Sequence, residues 1–108
     1  LASKMRFLAA QFLALLEDDR YLELARHANA MARRLAEGVR GVPGVRITQA
    51  VEVNAVFAVV EPALRQRLLE EFLFHVWDEA TGEVRWMASW ATTEEDVDRF
   101  VGKVRGKR

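Results

Sequence analysis

Apolar residues near the start of the chain recur every three or four positions, at Met5, Leu8, Phe12 and Leu15. This spacing predicts a helix over 3–16, because residues three and four apart share one face of a helix. Other apolar residues occupy its remaining sides, and a helix that is apolar nearly all round must be covered on more than one face. We therefore predict that it packs on another part of a longer protein or on another subunit.

A second helix is predicted over 20–37, after a run of carboxylates that suits the positive end of a helix dipole. Its buried stripe should consist of Leu24, Ala28, Met31 and Leu35. Gly38 follows and is predicted to be the left-handed cap of this helix, since glycine adopts positive φ without steric cost.

The middle of the chain shows the pattern of strands. Val45 and Ile47 alternate with polar neighbours, and 54–60 is a nearly continuous apolar run rich in β-branched residues. Each of these two patterns predicts a strand. Pro62 then suits the first turn of a short helix, where its missing N–H costs nothing.

Two more strands and a helix follow. The segments 74–77 and 84–90 are joined by a polar loop and should form a hairpin, with Gly82 available for positive φ. Thr92 and Glu95 have the spacing of a capping box and predict the start of the last helix. The apolar stripe of this helix should consist of Val97, Phe100, Val101 and Val104.

The order helix, helix, strand, strand, helix, strand, strand, helix indicates an α+β fold. We expect a small, mostly antiparallel sheet covered by helices on one face. A chain of 108 residues fits one domain. Because Leu1 is not a methionine and a helical pattern begins within a few residues of it, we expect 1–108 to be a single domain of a longer protein.

Composition narrows the classes of function. The chain has 16 basic and 16 acidic residues, so its charge does not favour nucleic acid or anionic lipid. It has no cysteine, which excludes disulfides, thiolate metal sites and a cysteine nucleophile. The lack of cysteine also points to a cytoplasmic protein. No apolar run reaches the roughly 18 residues that span a bilayer. We therefore expect a soluble protein that binds neither nucleic acid nor membrane.

Arg85 is the first candidate for chemistry. Strand alternation places Val84 and Trp86 on one side of their strand, with Arg85 and Met87 on the other. An arginine between apolar neighbours is a candidate anion receptor, because its planar fork of donors grips a carboxylate at two points. The alternative is an ordinary solvated arginine on the open face of an antiparallel strand, which base rates for charged residues favour.

The two histidines, His27 and His75, are weaker candidates. His27 falls off the apolar stripe of its helix and should be exposed, whereas His75 should lie in a strand with one ring nitrogen hydrogen-bonded locally. Neither has a second histidine at the spacing of metal ligands, so no metal site is expected.

Other polar and aromatic groups have simple structural explanations. Acidic residues at 17–19, 70–71 and 94–96 suit helix termini and solvated helix faces better than paired catalytic carboxylates. Three tryptophans could stack on a planar ligand, although in strands they more often build a core or an interface. These tryptophans are Trp77, Trp86 and Trp90.

No residue stands out as catalytic. The lysines are Lys4, Lys103 and Lys107. None lies in an apolar stretch that would desolvate its amine, as a lysine that forms a Schiff base requires. The glycine-rich, zinc-protease and serine-hydrolase motifs of common enzyme classes are also missing from the sequence. The residues by themselves thus predict an α+β domain without a complete active site.

Several stretches in order resemble a known family. They are SKMRFLAAQ at 3–11 followed by LED at 16–18, EVNAVF at 52–57, VRWMASW at 84–90 and TTEEDV at 92–97. Together they resemble the C-terminal third of bacterial low-specificity threonine aldolases and of the related phenylserine aldolases. The resemblance covers nearly the entire chain.

Members of this family are fold type I pyridoxal-phosphate (PLP) enzymes. In such enzymes a large domain holds the cofactor on a lysine, and a small C-terminal domain closes the active site. The resemblance implies that the cofactor lysine precedes this chain and that Lys4 is not that lysine. It implies that Arg85 binds the α-carboxylate of the substrate, and that Arg6 approaches the cofactor phosphate or a subunit contact. A fixed carboxylate orients the bond that the cofactor helps to break.

The implied function is that of a PLP-dependent lyase in a homo-oligomer, cleaving β-hydroxy-α-amino acids such as threonine to glycine and an aldehyde. This chain would supply Arg85 and subunit packing, and it should be inactive without the large domain. Two alternatives stay open. Other fold type I enzymes, such as β-eliminating lyases and aminotransferases, also place an arginine on the substrate carboxylate, and a non-catalytic interaction module could dock through the first helix.

Overall fold

The computed structural model describes residues 20–106, which form three helices and four strands. In chain order these are α1 (Arg20–Val39), β1 (Val45–Ile47), β2 (Ala55–Val60), α2 (Pro62–Glu71), β3 (His75–Asp78), β4 (Glu83–Met87) and α3 (Glu94–Val104). The helix predicted over 3–16, and Arg6 within it, lie outside the described residues. From the second predicted helix onwards, the predicted order of elements is confirmed.

The four strands form one sheet in the order β1, β2, β4, β3, and each neighbouring pair is antiparallel. The hairpin of β3 and β4 turns through Gly82, which has a φ of 80° as predicted. Pro62 begins α2, where the Glu61 side chain accepts a hydrogen bond from the Leu64 N–H at 3.0 Å. The α+β fold class is therefore confirmed.

Alternation along the strands gives the sheet one covered and one open face. On the covered face, alternate residues of β2 and β4 are buried against the helices. They are Val56, Ala58, Val60, Val84 and Trp86. Aromatic rings complete this core, where Trp86 and Phe74 each pack edge-on against Phe100 with centroids 4.9 and 6.5 Å apart. No helix between residues 20 and 106 is both long and apolar enough to cross a membrane.

The prediction for the end of α1 was wrong at Gly38. The helix continues through Val39, and the positive φ occurs at Gly41, at 80°. Gly38 instead lies where α1 contacts α3, and a Cβ added there would meet a methyl carbon of Val101 at 2.7 Å. The glycine therefore permits close helix packing and does not end the helix.

The predicted cap of α3 was wrong by one residue. Thr93 is the N-cap, with its Oγ1 accepting from the Asp96 N–H and the Asp96 carboxylate accepting from the Thr93 N–H, each at 3.0 Å. Thr92 has another role, since its Oγ1 accepts from the Ser89 N–H at 2.8 Å. The pairing of Thr92 with Glu95 is therefore not formed as a capping box.

Strand β4 ends at Met87, three residues earlier than predicted. The Ala88 N–H still donates to the Asn54 carbonyl at 2.8 Å, just before β2 begins. Beyond that point the Ser89 N–H donates to the Thr92 side chain at 2.8 Å, and the chain turns away from the sheet. A side-chain acceptor in the loop thus ends the strand.

Candidate functional site

The open face of the sheet carries Arg85. In the strand register, Arg85 lies directly opposite His75 on β3 and Phe57 on β2. Directly opposed residues share a face, so these three side chains form a row across the open face. The predicted alternation of β4 is confirmed, because Val84 and Trp86 are buried while Arg85 is half-buried and Met87 is exposed.

The Arg85 side chain has no acid partner among residues 20–106. Its Nε is buried and forms no hydrogen bond with these residues, and the side chain takes part in none of their salt bridges. The guanidinium carbon lies 5.1 Å from the centre of the Trp77 ring. A buried N–H without an acceptor is costly, so the Arg85 Nε is a donor that another group could satisfy.

A cleft of about 750 Å³ opens beside Arg85. Its walls come from the first half of α1, the segments that lead into β2 and β3, and the end of β4 with the residues that follow it, so it lies at one end of the sheet. The polar or ionisable side chains in its lining are those of Tyr21, Asn29, Asn54, His75, Arg85 and Ser89. The described lining contains no carboxylate, and apolar residues such as Leu24, Val53 and Leu73 supply most of the remainder. The cleft therefore suits a ligand with one anionic and one apolar part.

Asn54 fixes the end of the strand that carries Arg85. Its carbonyl accepts from the Ala88 N–H and its side-chain amide donates to the Ala88 carbonyl, both at 2.8 Å. Ser89 is held as well, through its N–H bond to Thr92. These bonds restrict the backbone from Arg85 to the turn at 89–92. A side chain that binds a ligand in one orientation needs a backbone fixed in this way.

The prediction that His27 is exposed was wrong. This residue is half-buried and donates through Nε2 to the Thr92 carbonyl, thereby tying α1 to the loop before α3. Because His27 lies off the apolar stripe of α1, its ring faces this loop and not the core. Helical periodicity does not predict a contact between segments so far apart in sequence. His75 lies in β3 as predicted, but the local hydrogen bond predicted for its ring is not found among residues 20–106. Its ring is exposed and packs against the Trp77 ring, with the ring centroids 5.7 Å apart.

The three tryptophans lie in three different environments. Trp86 belongs to the core, with 3% of its surface exposed, whereas Trp77 is 50% exposed on the open face. Trp90 lies after the end of β4 and lines the cleft. Sequence reasoning singled out Arg85, but it predicted neither the contact between Arg85 and Trp77 nor the bond from Asn54 to Ala88. The only sequence signal for Trp77 is its place in the strand that precedes the hairpin.

The acidic groups within the described residues have the structural roles that were predicted. The group at 94–96 lies in the first turn of α3. In the pair at 70–71, Glu71 accepts from Lys103 at 3.1 Å, at a site where both side chains are substantially exposed. The group at 17–19 lies outside the described residues.

The described residues do not fit a PLP site. Their one lysine, Lys103, is engaged with Glu71 on the helical side of the molecule and does not line the cleft. A Schiff-base lysine has to be desolvated or placed beside another cation, and Lys103 is neither. Residues 20–106 thus offer a candidate anion receptor and a largely apolar cleft, but no attachment point for this cofactor.

Comparison with known proteins identifies close relatives. The chain is 43% identical over 106 residues to the low-specificity L-threonine aldolase of Pseudomonas aeruginosa, and 41% identical over 106 residues to that of another Pseudomonas strain. Each alignment covers 97% of this chain and 30% of the relative. The chain therefore spans less than a third of the length of these curated relatives. No family model matches it.

The fold is also found in a solved threonine aldolase. The structure of the Leishmania major enzyme superimposes with a TM-score of 0.75 and 29% sequence identity, over 89% of this chain and 29% of that one. Sequence and fold agree on the same relatives, so the resemblance to threonine aldolases is confirmed over almost the whole chain.

Proposed function

We propose that this chain is the C-terminal small domain of a PLP-dependent threonine aldolase, and that Arg85 binds the α-carboxylate of the substrate. The full enzyme would cleave β-hydroxy-α-amino acids such as threonine to glycine and an aldehyde. The names of the relatives favour this reaction over β-elimination, transamination or a purely structural module. The observation that supports the role of Arg85 is that its guanidinium has no acid partner among residues 20–106 and lies at the wall of a cleft whose described lining contains no carboxylate.

The chemistry of a carboxylate matches this arginine. The two oxygens of a carboxylate accept two parallel hydrogen bonds from one guanidinium, and such charge-assisted bonds are among the strongest in proteins. The apolar part of the cleft then lies next to the rest of the amino acid. Binding at one end fixes the orientation of the substrate, so the bond to be broken is presented to the reacting centre in one direction.

The reacting centre itself belongs to the part of the enzyme beyond this chain. We assign PLP and its lysine to the large domain, because the described residues hold no suitable lysine. Arg6, which the family resemblance links to the cofactor phosphate or a subunit contact, stays a proposal. Within residues 20–106, the contribution to catalysis that we propose is binding and orientation by Arg85.

The large domain and further subunits are the proposed partners of the exposed apolar side chains. Several of these side chains surround the cleft, among them Val53, Leu73 and Met87. Exposed apolar groups gathered around one cleft are typical of a surface that another domain covers. We therefore propose a homo-oligomeric enzyme in which the cleft is closed by the large domain. The lack of cysteine supports a cytoplasmic location.

Replacing Arg85 by alanine in the full-length enzyme tests the proposed function. Hydrogen bonds to charged groups are worth about 1.5–3 kcal/mol, so KM for threonine should rise about 10- to 100-fold. Steady-state kinetics with threonine measures this. Arg46→Ala is the matched control, because Arg46 is an exposed arginine of β1 that does not line the cleft. An unchanged KM in Arg85→Ala would show that Arg85 does not bind the substrate.

A further inference from the structure

The ring of Trp77 lies beside the Arg85 guanidinium, with 5.1 Å between the guanidinium carbon and the ring centre. A cation within about 6 Å of an aromatic centre is attracted by the negative face of the ring. Among residues 20–106, no hydrogen bond or ion pair competes with this contact for the Arg85 side chain. The tryptophan is thus the group that holds the charged end of this arginine.

The position of Trp77 depends on an irregularity in β3. His75 and Val76 pair with Arg85 and Val84, but Asp78 pairs with Glu83, so Trp77 is the extra residue of a bulge. A bulge redirects the side chain of the extra residue and bends its strand. Here it places an aromatic ring on the open face, next to the arginine of the neighbouring strand.

Two neighbours hold the Trp77 ring in place. Phe57 packs edge-on against it at 5.4 Å with an interplanar angle of 80°, and His75 packs similarly at 5.7 Å and 74°. Arg85 and His75 line the cleft, whereas Trp77 does not. The ring therefore supports the guanidinium without lying in the cleft wall, and it leaves the cleft side of the guanidinium open to a ligand.

We propose that Trp77 is a positioning residue that preorganises Arg85 for the substrate carboxylate. This inference rests on the proposed function of Arg85. A free arginine side chain has many rotamers and loses this freedom when it binds an anion. A ring that already fixes the guanidinium removes part of that loss before the substrate arrives. Trp77 thereby strengthens carboxylate binding without touching the substrate.

The test compares Trp77→Leu with Trp77→Phe in the full-length enzyme. Leucine keeps an apolar side chain and lacks an aromatic face, whereas phenylalanine keeps the face. KM for threonine should rise about 3- to 10-fold in Trp77→Leu, with a much smaller change in kcat, and Trp77→Phe should recover most of the loss. Trp77→Gln is a second variant without an aromatic face, suited to a site that is 50% exposed.

A ligand without a carboxylate separates positioning from general damage. Threonine amide competes for the same cleft but carries no anion for Arg85. Its inhibition constant should change less than twofold in Trp77→Leu, while KM for threonine rises. Equal weakening of both ligands, or equal KM values in Trp77→Leu, Trp77→Phe and the unaltered enzyme, would overturn the inference.

The Arg85→Ala background distinguishes this inference from the proposed function. If both hold, Trp77→Leu should add no further loss once Arg85 is removed, because the two residues act as one unit. A KM that is insensitive to Arg85→Ala contradicts the proposed function itself. A KM that responds to Arg85→Ala, but responds to Trp77→Leu equally with and without Arg85, contradicts only the role of Trp77.

Discussion

The two faces of the sheet use similar residues in opposite ways. On the covered face, Trp86 packs against Phe100 and Phe74 in a core without charged groups. On the open face, Trp77 packs against an arginine and a histidine and stays half exposed. The two tryptophans lie on neighbouring strands. The Trp86 ring stabilises the fold by burial, whereas the Trp77 ring lies against a charged side chain.

The arginines differ between the two sides in the same way. On the helical side, Arg34 of α1 donates two hydrogen bonds to Asp98 of α3, each at 2.9 Å. On the open face, Arg85 finds no carboxylate among the described residues. A paired arginine has its charge satisfied within the fold, so it joins two helices. An arginine without an acid partner has donors that are available to a ligand.

The largest expected effect tests the role of the covered face. Trp86→Ala should lower the free energy of unfolding by about 3–5 kcal/mol, because it leaves a cavity in the aromatic core. Trp77→Ala should cost only about 1 kcal/mol, since half of that side chain is already in water. The shift of the urea unfolding midpoint in the full-length enzyme measures both. Similar losses of unfolding free energy in the two variants would contradict the conclusion that only the covered face stabilises the fold by burial.

The next effect concerns the helix that covers Trp86. Thr93→Ala should lower the free energy of unfolding by about 1 kcal/mol, because the Asp96 N–H at the start of α3 loses its acceptor. Thr93→Ser keeps the hydroxyl and is the control. Thermal unfolding of both variants measures the difference. We expect KM for threonine to be unaffected, and a rise in KM would mean that α3 and the open face are coupled.

The smallest effect concerns the paired arginine. The hydrogen bonds from Arg34 hold the pKa of Asp98 below its ordinary value. A lowered carboxyl pKa stabilises the fold above the unfolded pKa of about 4, and this contribution is lost as the pH falls through the folded pKa. Asp98→Asn should therefore lower the unfolding midpoint slightly at pH 6, by an amount that shrinks below about pH 4. In an Arg34→Gln background the substitution should have no pH-dependent effect.

The fold was largely predictable because its elements are short and strongly patterned. Period-two alternation places Val84 and Arg85 on opposite faces, and Pro62 and Gly82 mark a helix start and a turn. The errors at Gly38 and Thr92 have one cause. Gly38 packs against Val101 of α3, and Thr92 is bonded to His27 of α1 and to Ser89. These tertiary and loop contacts override the local preference of each residue for a helix cap.

The candidate site was predictable only in part. Alternation makes Arg85 a candidate anion receptor, whereas base rates favour a solvated arginine there. Only the resemblance to threonine aldolases implies that it binds the substrate carboxylate. The neighbours of Arg85 depend on strand register, and the bulge at Trp77 changes the register by one residue. No local pattern in the sequence marks that bulge. The contact between Arg85 and Trp77 is therefore visible only in the three-dimensional arrangement.

The double hydrogen bond between Asn54 and Ala88 also bears on how the chain tolerates changes in length. It anchors the sheet at the cleft end, while the turn that contains Gly82 lies at the opposite end of β4. Residues inserted in that turn would lengthen the far end of the hairpin and leave Arg85 in place. A single residue inserted between Arg85 and Ala88 would shift the pairing and turn the guanidinium towards the covered face. Natural and engineered length variation should therefore concentrate in the turn.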